Sequence, residues 1–132
     1  MADDVWIGRI PSPRDLAGTS YAGIVDLSAE LGLPASATPR AIVPVLDLTA
    51  PDTLQLTAAA QAIEAMRKSG PVLVCCALGF SRSASAVIAW LVATGRSASV
   101  ESAIAQVRGA KRHIVLRDAH TAALRGLPGW RS

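Results

Sequence analysis

The chain has 132 residues, of which 51% are hydrophobic, 17% are charged and 4% are aromatic. A chain of this length and composition folds as one ordered domain with a core of its own, which excludes a disordered protein and a two-domain protein. The formal net charge is +3, and residues 106–132 carry six Lys or Arg against one Asp. This basic end indicates either a solvated helix face or a surface that attracts anionic substrates or phospholipid head groups, whereas nucleic-acid binding is unsupported because no aromatic residues are interleaved with the charges.

The sequence contains no segment that predicts membrane insertion or secretion. Its longest apolar stretch, Ala84–Thr94, is far below the roughly 20 residues that a transmembrane helix needs. The acidic start lacks the basic and apolar regions of a signal peptide, and the only two cysteines are adjacent, which rules out a disulfide framework. We therefore expect a cytoplasmic domain in a reducing compartment, with the cytosolic face of a membrane as a further option.

Four apolar runs predict strands. One of them contains Pro44, which predicts an edge strand or an irregular one because proline cannot donate to a sheet ladder. The first three runs precede the middle of the chain and the fourth leads into the two cysteines. The predicted strands are Val5–Gly8, Tyr21–Leu27, Ala41–Asp47 and Pro71–Cys75.

The sequence also predicts four helices, of which the first lies between the third and fourth strands and the others follow the fourth strand. Asp52 and Gln55 are spaced as a capping box that opens the first helix, which Gly70 ends. The second runs from about Arg82 to Thr94 and is apolar almost all round, so we expect it in the middle of the domain. Ser97 or Ser99 caps the third, and the last spans about Leu116–Arg125. Alternating strands and helices predict an α/β domain with one mostly parallel sheet flanked by helices.

The segment from Val72 to Ala84 is the candidate site. An apolar strand ends at Cys75 and Cys76, a loop with Gly79 follows, and Arg82 and Ser83 open the buried helix. Such a strand, loop and helix N-terminus form an anion site from converging backbone N–H groups. A thiol in a positively charged site ionises more readily than a free thiol, so Cys76 is predicted to be a nucleophile.

These residues resemble the Cys-x5-Arg loop of the protein tyrosine phosphatase superfamily, and the run from Gly79 to Ala84 resembles its dual-specificity branch most. The similarity extends over most of the chain and includes the segments at 6–9, 45–51 and 99–103. Bacterial domains of this kind that are linked to lipid-phosphatase-like membrane proteins are especially similar, so this chain could be one domain of a larger membrane protein. The resemblance implies the cysteine phosphatase fold.

The resemblance also implies roles for the loop residues. Cys76 would attack phosphorus and become phosphocysteine, while Arg82 and the loop amides would hold the phosphoryl oxygens. Ser83 would hydrogen-bond the sulfur, and its alternative role is to cap the helix. The implied mechanism requires no cofactor and no metal, and His113 and His120 match no ligand pattern. The phosphate-binding loop would consist of Ala77, Leu78, Gly79, Phe80, Ser81 and Arg82.

Two carboxylates are candidates for the general acid. Asp47 stands where the family keeps this group, at the end of a strand before a loop that can close over substrate. Asp52 is the rival, although its position before Thr53, Leu54 and Gln55 fits a helix cap. A third interpretation makes Asp47 a turn residue that ends the strand.

The chain departs from the family at Cys75, where a histidine usually precedes the nucleophile. A thiol is a weaker donor than imidazole, which puts the turnover rate in doubt but not the mechanism. Cys75 is interpreted either as a small apolar filler or as a second sulfur that traps oxidised Cys76, although adjacent cysteines form strained disulfides.

The function predicted is that of a cysteine-dependent phosphatase acting on phosphotyrosine, phosphoserine or phosphothreonine in proteins. Residues 77–81 contain no lysine, which disfavours a highly charged inositol head group by comparison with related phosphoinositide phosphatases. A lipid phosphomonoester is the main alternative substrate. The alternatives of another class are a catalytically weak module that binds a phosphorylated partner and a thiol redox protein.

Overall fold

The computed structural model describes residues 4–9, 11, 12, 14, 21–28, 38–45, 50–76, 81–110, 114, 116 and 118–127. Four strands and four helices lie in these ranges. The strands are β1 (Val5–Arg9), β2 (Gly23–Ser28), β3 (Arg40–Val45) and β4 (Val72–Cys76). The helices are α1 (Thr53–Arg67), α2 (Arg82–Ala93), α3 (Val100–Ala110) and α4 (Asp118–Arg125).

The strands form one sheet in the order β1-β4-β2-β3, and all of their pairings are parallel. This confirms the predicted α/β fold with a parallel sheet. The strand that carries both cysteines, β4, lies between β1 and β2, so it is buried by neighbours on both edges. The prediction from Pro44 is also confirmed, because β3 is an edge strand and its register with β2 shifts between Asp26 and Ser28.

One face of the sheet carries the main core. Side chains alternate between the two faces of a strand, and Val72, Val74 and Cys76 of β4 belong to the larger hydrophobic cluster. Helix α2 fills the middle of this cluster, and all of its residues except Val92 are buried, as its apolar sequence predicted. At about 25 cal/mol per Å² of apolar surface removed from water, this burial is a main stabilising contribution.

The opposite face of β4 carries a smaller cluster. Leu73 and Cys75 pack there against Ile24, with Tyr21 at the margin. Consecutive residues of β4 therefore belong to two different clusters, as the period of two in a strand requires. Cys75 and Cys76, although adjacent in sequence, point to opposite faces of the sheet.

The ends of the helices follow from local sequence. The predicted capping box is confirmed at α1, where Gln55 N–H donates to Asp52 Oδ1 at 2.8 Å and Asp52 N–H donates to Gln55 Oε1 at 2.9 Å. After α1 and α2 the chain turns at Gly70 and Gly95, whose φ angles of 144° and 76° favour glycine. Of the two serines predicted to cap α3, Ser99 does so by accepting from Ser102 N–H at 3.0 Å.

Some predicted boundaries differ from the structure. The second strand begins at Gly23 rather than at Tyr21, and the last helix begins at Asp118 rather than near Leu116. The predicted end of the third strand, at Asp47, lies outside the described residues. Within the part of the chain that the structure describes, no helix combines the length and the apolar character needed to cross a membrane.

Candidate active site

The candidate site lies at the carboxyl end of β4. In parallel sheets the carboxyl ends of the strands share one edge, where ligands bind in α/β proteins. Cys76 is the last residue of β4, and Arg82 is the first residue of α2. The chain therefore returns to this edge with a helix N-terminus, whose positive dipole end faces the site.

Cys76 and Ser83 are in direct contact. The Cys76 Sγ atom lies 3.4 Å from Ser83 Oγ, to which the thiol donates a hydrogen bond. Both side chains are buried, with exposed fractions of 2% for Cys76 and 0% for Ser83. The alternative that Ser83 caps α2 is wrong, because Ser81 occupies the N-cap position and Ser83 lies inside the first turn. The hydroxyl of Ser83 instead accepts the hydrogen bond from the Cys76 thiol.

Arg82 is buried at the same edge and is held by β3. Its Nη1 atom donates to the carbonyl oxygen of Val45 at 2.7 Å, and only 3% of the residue is exposed. Burying a guanidinium is costly unless its donors find acceptors, and this contact supplies an acceptor for one donor and helps to orient the group. The fork of N–H groups on guanidinium matches the geometry of a phosphoryl group.

Cys75 occupies a different environment. It is fully buried beside Ile24 and Leu73, and it lies opposite Asp26 in the pairing of β4 with β2. Burial raises the pKa of the Cys75 thiol far above its usual range, and the nearby Asp26 and Cys76 raise it further. Cys75 is therefore a neutral thiol at physiological pH. Both cysteines are free, and their positions on opposite faces of β4 support the interpretation of Cys75 as a packing residue.

Of the remaining predicted site residues, some lie outside the described ranges and two make contacts of their own. Asp47 and the loop residues Ala77, Leu78, Gly79 and Phe80 are outside the described residues. Ser81 precedes α2 and accepts the N–H of Ser85 at 2.8 Å through its carbonyl. Asp52, the rival general acid, is engaged in capping α1. In the described part of the chain no cluster of His, Cys, Asp or Glu is arranged to hold a metal.

Sequence reasoning did not identify the contacts that fix these groups. The carbonyl of Val45 is a backbone acceptor 37 residues from Arg82, and no side-chain pattern signals such a partner. Gln55 was identified only as a helix cap, yet its Nε2 also donates to the carbonyl of Pro44 at 3.0 Å. The only available signal was the choice of Gln rather than Glu at this position of the capping box, because only Gln can donate.

The family model described as "Dual specificity phosphatase, catalytic domain" matches residues 27–127. The chain belongs to the dual-specificity phosphatase family. The predicted family is thus confirmed, while the more specific similarity to bacterial domains of membrane proteins stays a prediction. Among curated proteins, no significant sequence match was found.

Several solved structures share this fold. Tk-PTP in its active form is 27% identical with a TM-score of 0.82, and the alignment covers 94% of this chain and 90% of that one. Human DUSP28 is 25% identical with a TM-score of 0.81 and the same two coverages, 94% and 90%. PTPMT1 in complex with PI(5)P is 21% identical with a TM-score of 0.79, covering 93% of this chain and 88% of that one.

Proposed function

We propose that this chain is a cysteine-dependent phosphatase that hydrolyses phosphomonoesters through a phosphocysteine intermediate. The observation that carries the proposal is the arrangement at the carboxyl end of β4, where the Cys76 thiol contacts Ser83 and the residue before Ser83 in α2 is the buried Arg82. Membership of the dual-specificity phosphatase family supports the same chemistry.

In the first step the Cys76 thiolate attacks phosphorus in line with the leaving oxygen. The S–P bond forms as the P–O bond breaks, and Asp47 gives its proton to the departing oxygen. Arg82 holds the phosphoryl oxygens while their charge redistributes. Asp47 is assigned this role by sequence position.

In the second step a water molecule attacks the phosphocysteine and gives its proton to the Asp47 carboxylate. The P–S bond breaks, inorganic phosphate forms, and the electron pair returns to the sulfur. The thiolate is the leaving group, and a hydrogen bond from Ser83 Oγ stabilises it. Ser83 lies within reach of the sulfur for this purpose, with the direction of the hydrogen bond reversed once the thiol has ionised.

We propose phosphorylated proteins as the substrate class, with phosphotyrosine, phosphoserine or phosphothreonine as the group hydrolysed. A second candidate is a lipid phosphomonoester. It is favoured by the basic character of residues 106–132, which contain six Lys or Arg and one Asp. Positive charge on a protein surface attracts the anionic surface of a membrane. A panel of phosphopeptides and phospholipids in vesicles compares the two classes directly.

A chromogenic aryl phosphate assay tests the enzymatic proposal. We expect turnover that survives a chelator, is blocked by vanadate and disappears in Cys76→Ser. Cys75→Ser is the matched control, since it makes the same chemical change one residue away in a side chain on the other face of β4. Its turnover should persist.

The alternatives give different results in this assay. Absence of turnover in the wild type, together with retained binding of tungstate, would establish a phosphate-binding module instead. Equal losses in the two cysteine variants would favour a thiol redox protein.

A further inference from the structure

The side-chain amide of Gln55 connects two backbone groups near the candidate active site. Its Oε1 atom accepts the N–H of Asp52 at 2.9 Å, which completes the capping box of α1. Its Nε2 atom donates to the carbonyl of Pro44 in β3 at 3.0 Å. Capping requires only the oxygen, so a glutamate would serve α1 equally well. The nitrogen makes the contact that capping does not explain.

The carbonyl held by Gln55 is adjacent to the one held by Arg82. Pro44 O accepts from Gln55 Nε2, and Val45 O accepts from Arg82 Nη1 at 2.7 Å. Two consecutive peptide carbonyls at the end of β3 are thus fixed by α1 and by α2. A change in the position of the peptide between Pro44 and Val45 would move the acceptor that orients the guanidinium of Arg82.

The end of β3 near Pro44 is held only weakly by the sheet, so contacts from outside the sheet help to fix it. Pro44 has no N–H to donate to the sheet, and β3 lies at the edge of the four described strands, among which it pairs only with β2. The register between β2 and β3 also shifts near this point, between the pairs Asp26–Ile42 and Ser28–Val45. An irregular edge strand is less constrained by its ladder than a regular central strand.

We propose that Gln55 is a positioning residue for Arg82. By holding the carbonyl of Pro44, the amide of Gln55 fixes the neighbouring carbonyl of Val45, which sets the orientation in which Arg82 meets the phosphoryl oxygens. Gln55 itself need not touch substrate. This inference rests on the proposed function, in which Arg82 binds the phosphoryl group.

Two variants separate positioning from capping. Gln55→Glu keeps the oxygen that completes the capping box and removes the donor to Pro44, whereas Gln55→Ala removes both. If Gln55 positions Arg82, both variants should bind tungstate about 3–10-fold more weakly than the wild type in a calorimetric titration, as expected for the loss of one hydrogen bond. The thermal midpoint should fall clearly in Gln55→Ala and little in Gln55→Glu. Leu54→Ala, in the same turn and 80% exposed, is the control and should match the wild type in binding.

Turnover provides a second measurement with a distinct signature. Arg82 holds the phosphoryl group in the same way for every leaving group. In the two Gln55 variants kcat/KM should therefore fall by a similar factor for aryl phosphates with good and with poor leaving groups. If a general acid were lost instead, the fall in kcat/KM would become larger as the leaving group becomes more basic.

The inference is overturned if Gln55→Glu binds tungstate like the wild type, since Gln55 would then act only as a cap. It is equally overturned if Gln55→Glu is impaired and Gln55→Ala is not, because the introduced charge would then explain the loss. Tungstate binding needs no turnover, so a wild type that binds tungstate without hydrolysing aryl phosphates would contradict the proposed function alone. An active wild type with unaltered Gln55 variants would contradict this inference alone.

Discussion

Helices α1 and α2 make polar contacts near both of their ends, and the two ends hold different kinds of groups. Near their first turns, Gln55 and Arg82 donate to the backbone carbonyls of Pro44 and Val45 in β3. Near their last turns, Glu64 of α1 accepts from Arg67 at 2.9 Å and from Trp90 Nε1 of α2 at 3.0 Å, and Arg96 approaches it at 3.6 Å. We call these the site end and the distal end.

The site end positions groups at the candidate active site, whereas the distal end stabilises the packing of α1 against α2. At the site end the acceptors are backbone groups of a strand, so the contacts fix α1 and the guanidinium of Arg82 relative to the sheet. At the distal end side chains pair with side chains, and about a quarter of each of Glu64, Arg67 and Arg96 is exposed. The distal contacts join α1 to α2 without touching the proposed chemistry. Substitutions at the site end should therefore alter turnover, and substitutions at the distal end should alter stability.

Among variants that keep the nucleophile Cys76, the largest effect is expected from Asp47→Asn, which removes the proposed general acid. Turnover should fall by roughly 10²–10⁴ on substrates with poor leaving groups, and by much less when the leaving group is already acidic. A series of aryl phosphates of increasing phenol pKa measures this dependence. Asp52→Asn, which retains a side-chain oxygen for the cap, is the control. If the dependence appeared in Asp52→Asn and not in Asp47→Asn, the acid would be assigned wrongly.

Arg82→Lys is expected to have the next largest effect on turnover. A lysine keeps the positive charge but loses the planar fork and cannot hold both Val45 and two phosphoryl oxygens. We expect kcat/KM to fall by about 10²–10³, as for the loss of an oxyanion donor. Circular dichroism and urea unfolding check that the fold is retained. Turnover within twofold of the wild type would contradict the role given to Arg82.

At the distal end the expected effect is on stability and its pH dependence. The hydrogen bond from Arg67 lowers the pKa of Glu64 from 4.5 to about 2, aided by Trp90 and by the charges of Arg67 and Arg96, although burial opposes the shift. Because the pKa is depressed in the folded state, this stabilisation is present above about pH 4.5 and is lost as the pH falls towards 2. Allowing for partial exposure, the loss should be about 1–3 kcal/mol.

Urea unfolding of the wild type and Glu64→Gln at pH 7 and pH 3 measures this contribution. Glu64→Gln should be less stable at pH 7 and should lose less stability on acidification, with kcat/KM unchanged. The exposed pair of Glu101 and Arg125, joined at 2.6 Å, supplies a matched control. Since exposed ion pairs contribute little, Glu101→Gln should unfold almost as the wild type does. If the free energy of unfolding fell equally between pH 7 and pH 3 in the wild type and in Glu64→Gln, the stabilising role of Glu64 would be contradicted.

The smallest effect is expected from Trp90→Phe. This change keeps an aromatic ring but removes the Nε1 donor to Glu64 and leaves space beside the side chain, which is fully buried. The free energy of unfolding should fall by roughly 1–2 kcal/mol, and tungstate affinity should not change. Altered tungstate affinity would show that the two ends of the helices are coupled.

The fold could be predicted because its signals are local. The apolar runs predicted the strands, Pro44 predicted the edge position of β3, and Asp52 with Gln55 predicted the cap of α1. The alternation of strands and helices then predicted the parallel sheet. The same local pattern predicted that Cys76, Arg82 and Ser83 meet, since they are separated only by one loop.

The contacts between distant segments could not be predicted. Val45 and Arg82 are 37 residues apart, and Glu64 and Trp90 are 26 apart. Such contacts depend on how the helices pack on the sheet, which local patterns do not specify. The catalytic roles of Cys76, Arg82, Ser83 and Asp47 stay predictions, and the opposite orientation of Cys75 required the strand register of β4.

The most direct test of the central proposal is to trap the covalent intermediate. The protein is mixed with an aryl phosphate, quenched rapidly, digested and analysed by mass spectrometry for a phosphorylated cysteine. The account predicts phosphate on Cys76 in the wild type and in Cys75→Ser, and none in Cys76→Ser. Turnover that leaves phosphate on Cys75, or that proceeds at the wild-type rate in Cys76→Ser, would contradict it.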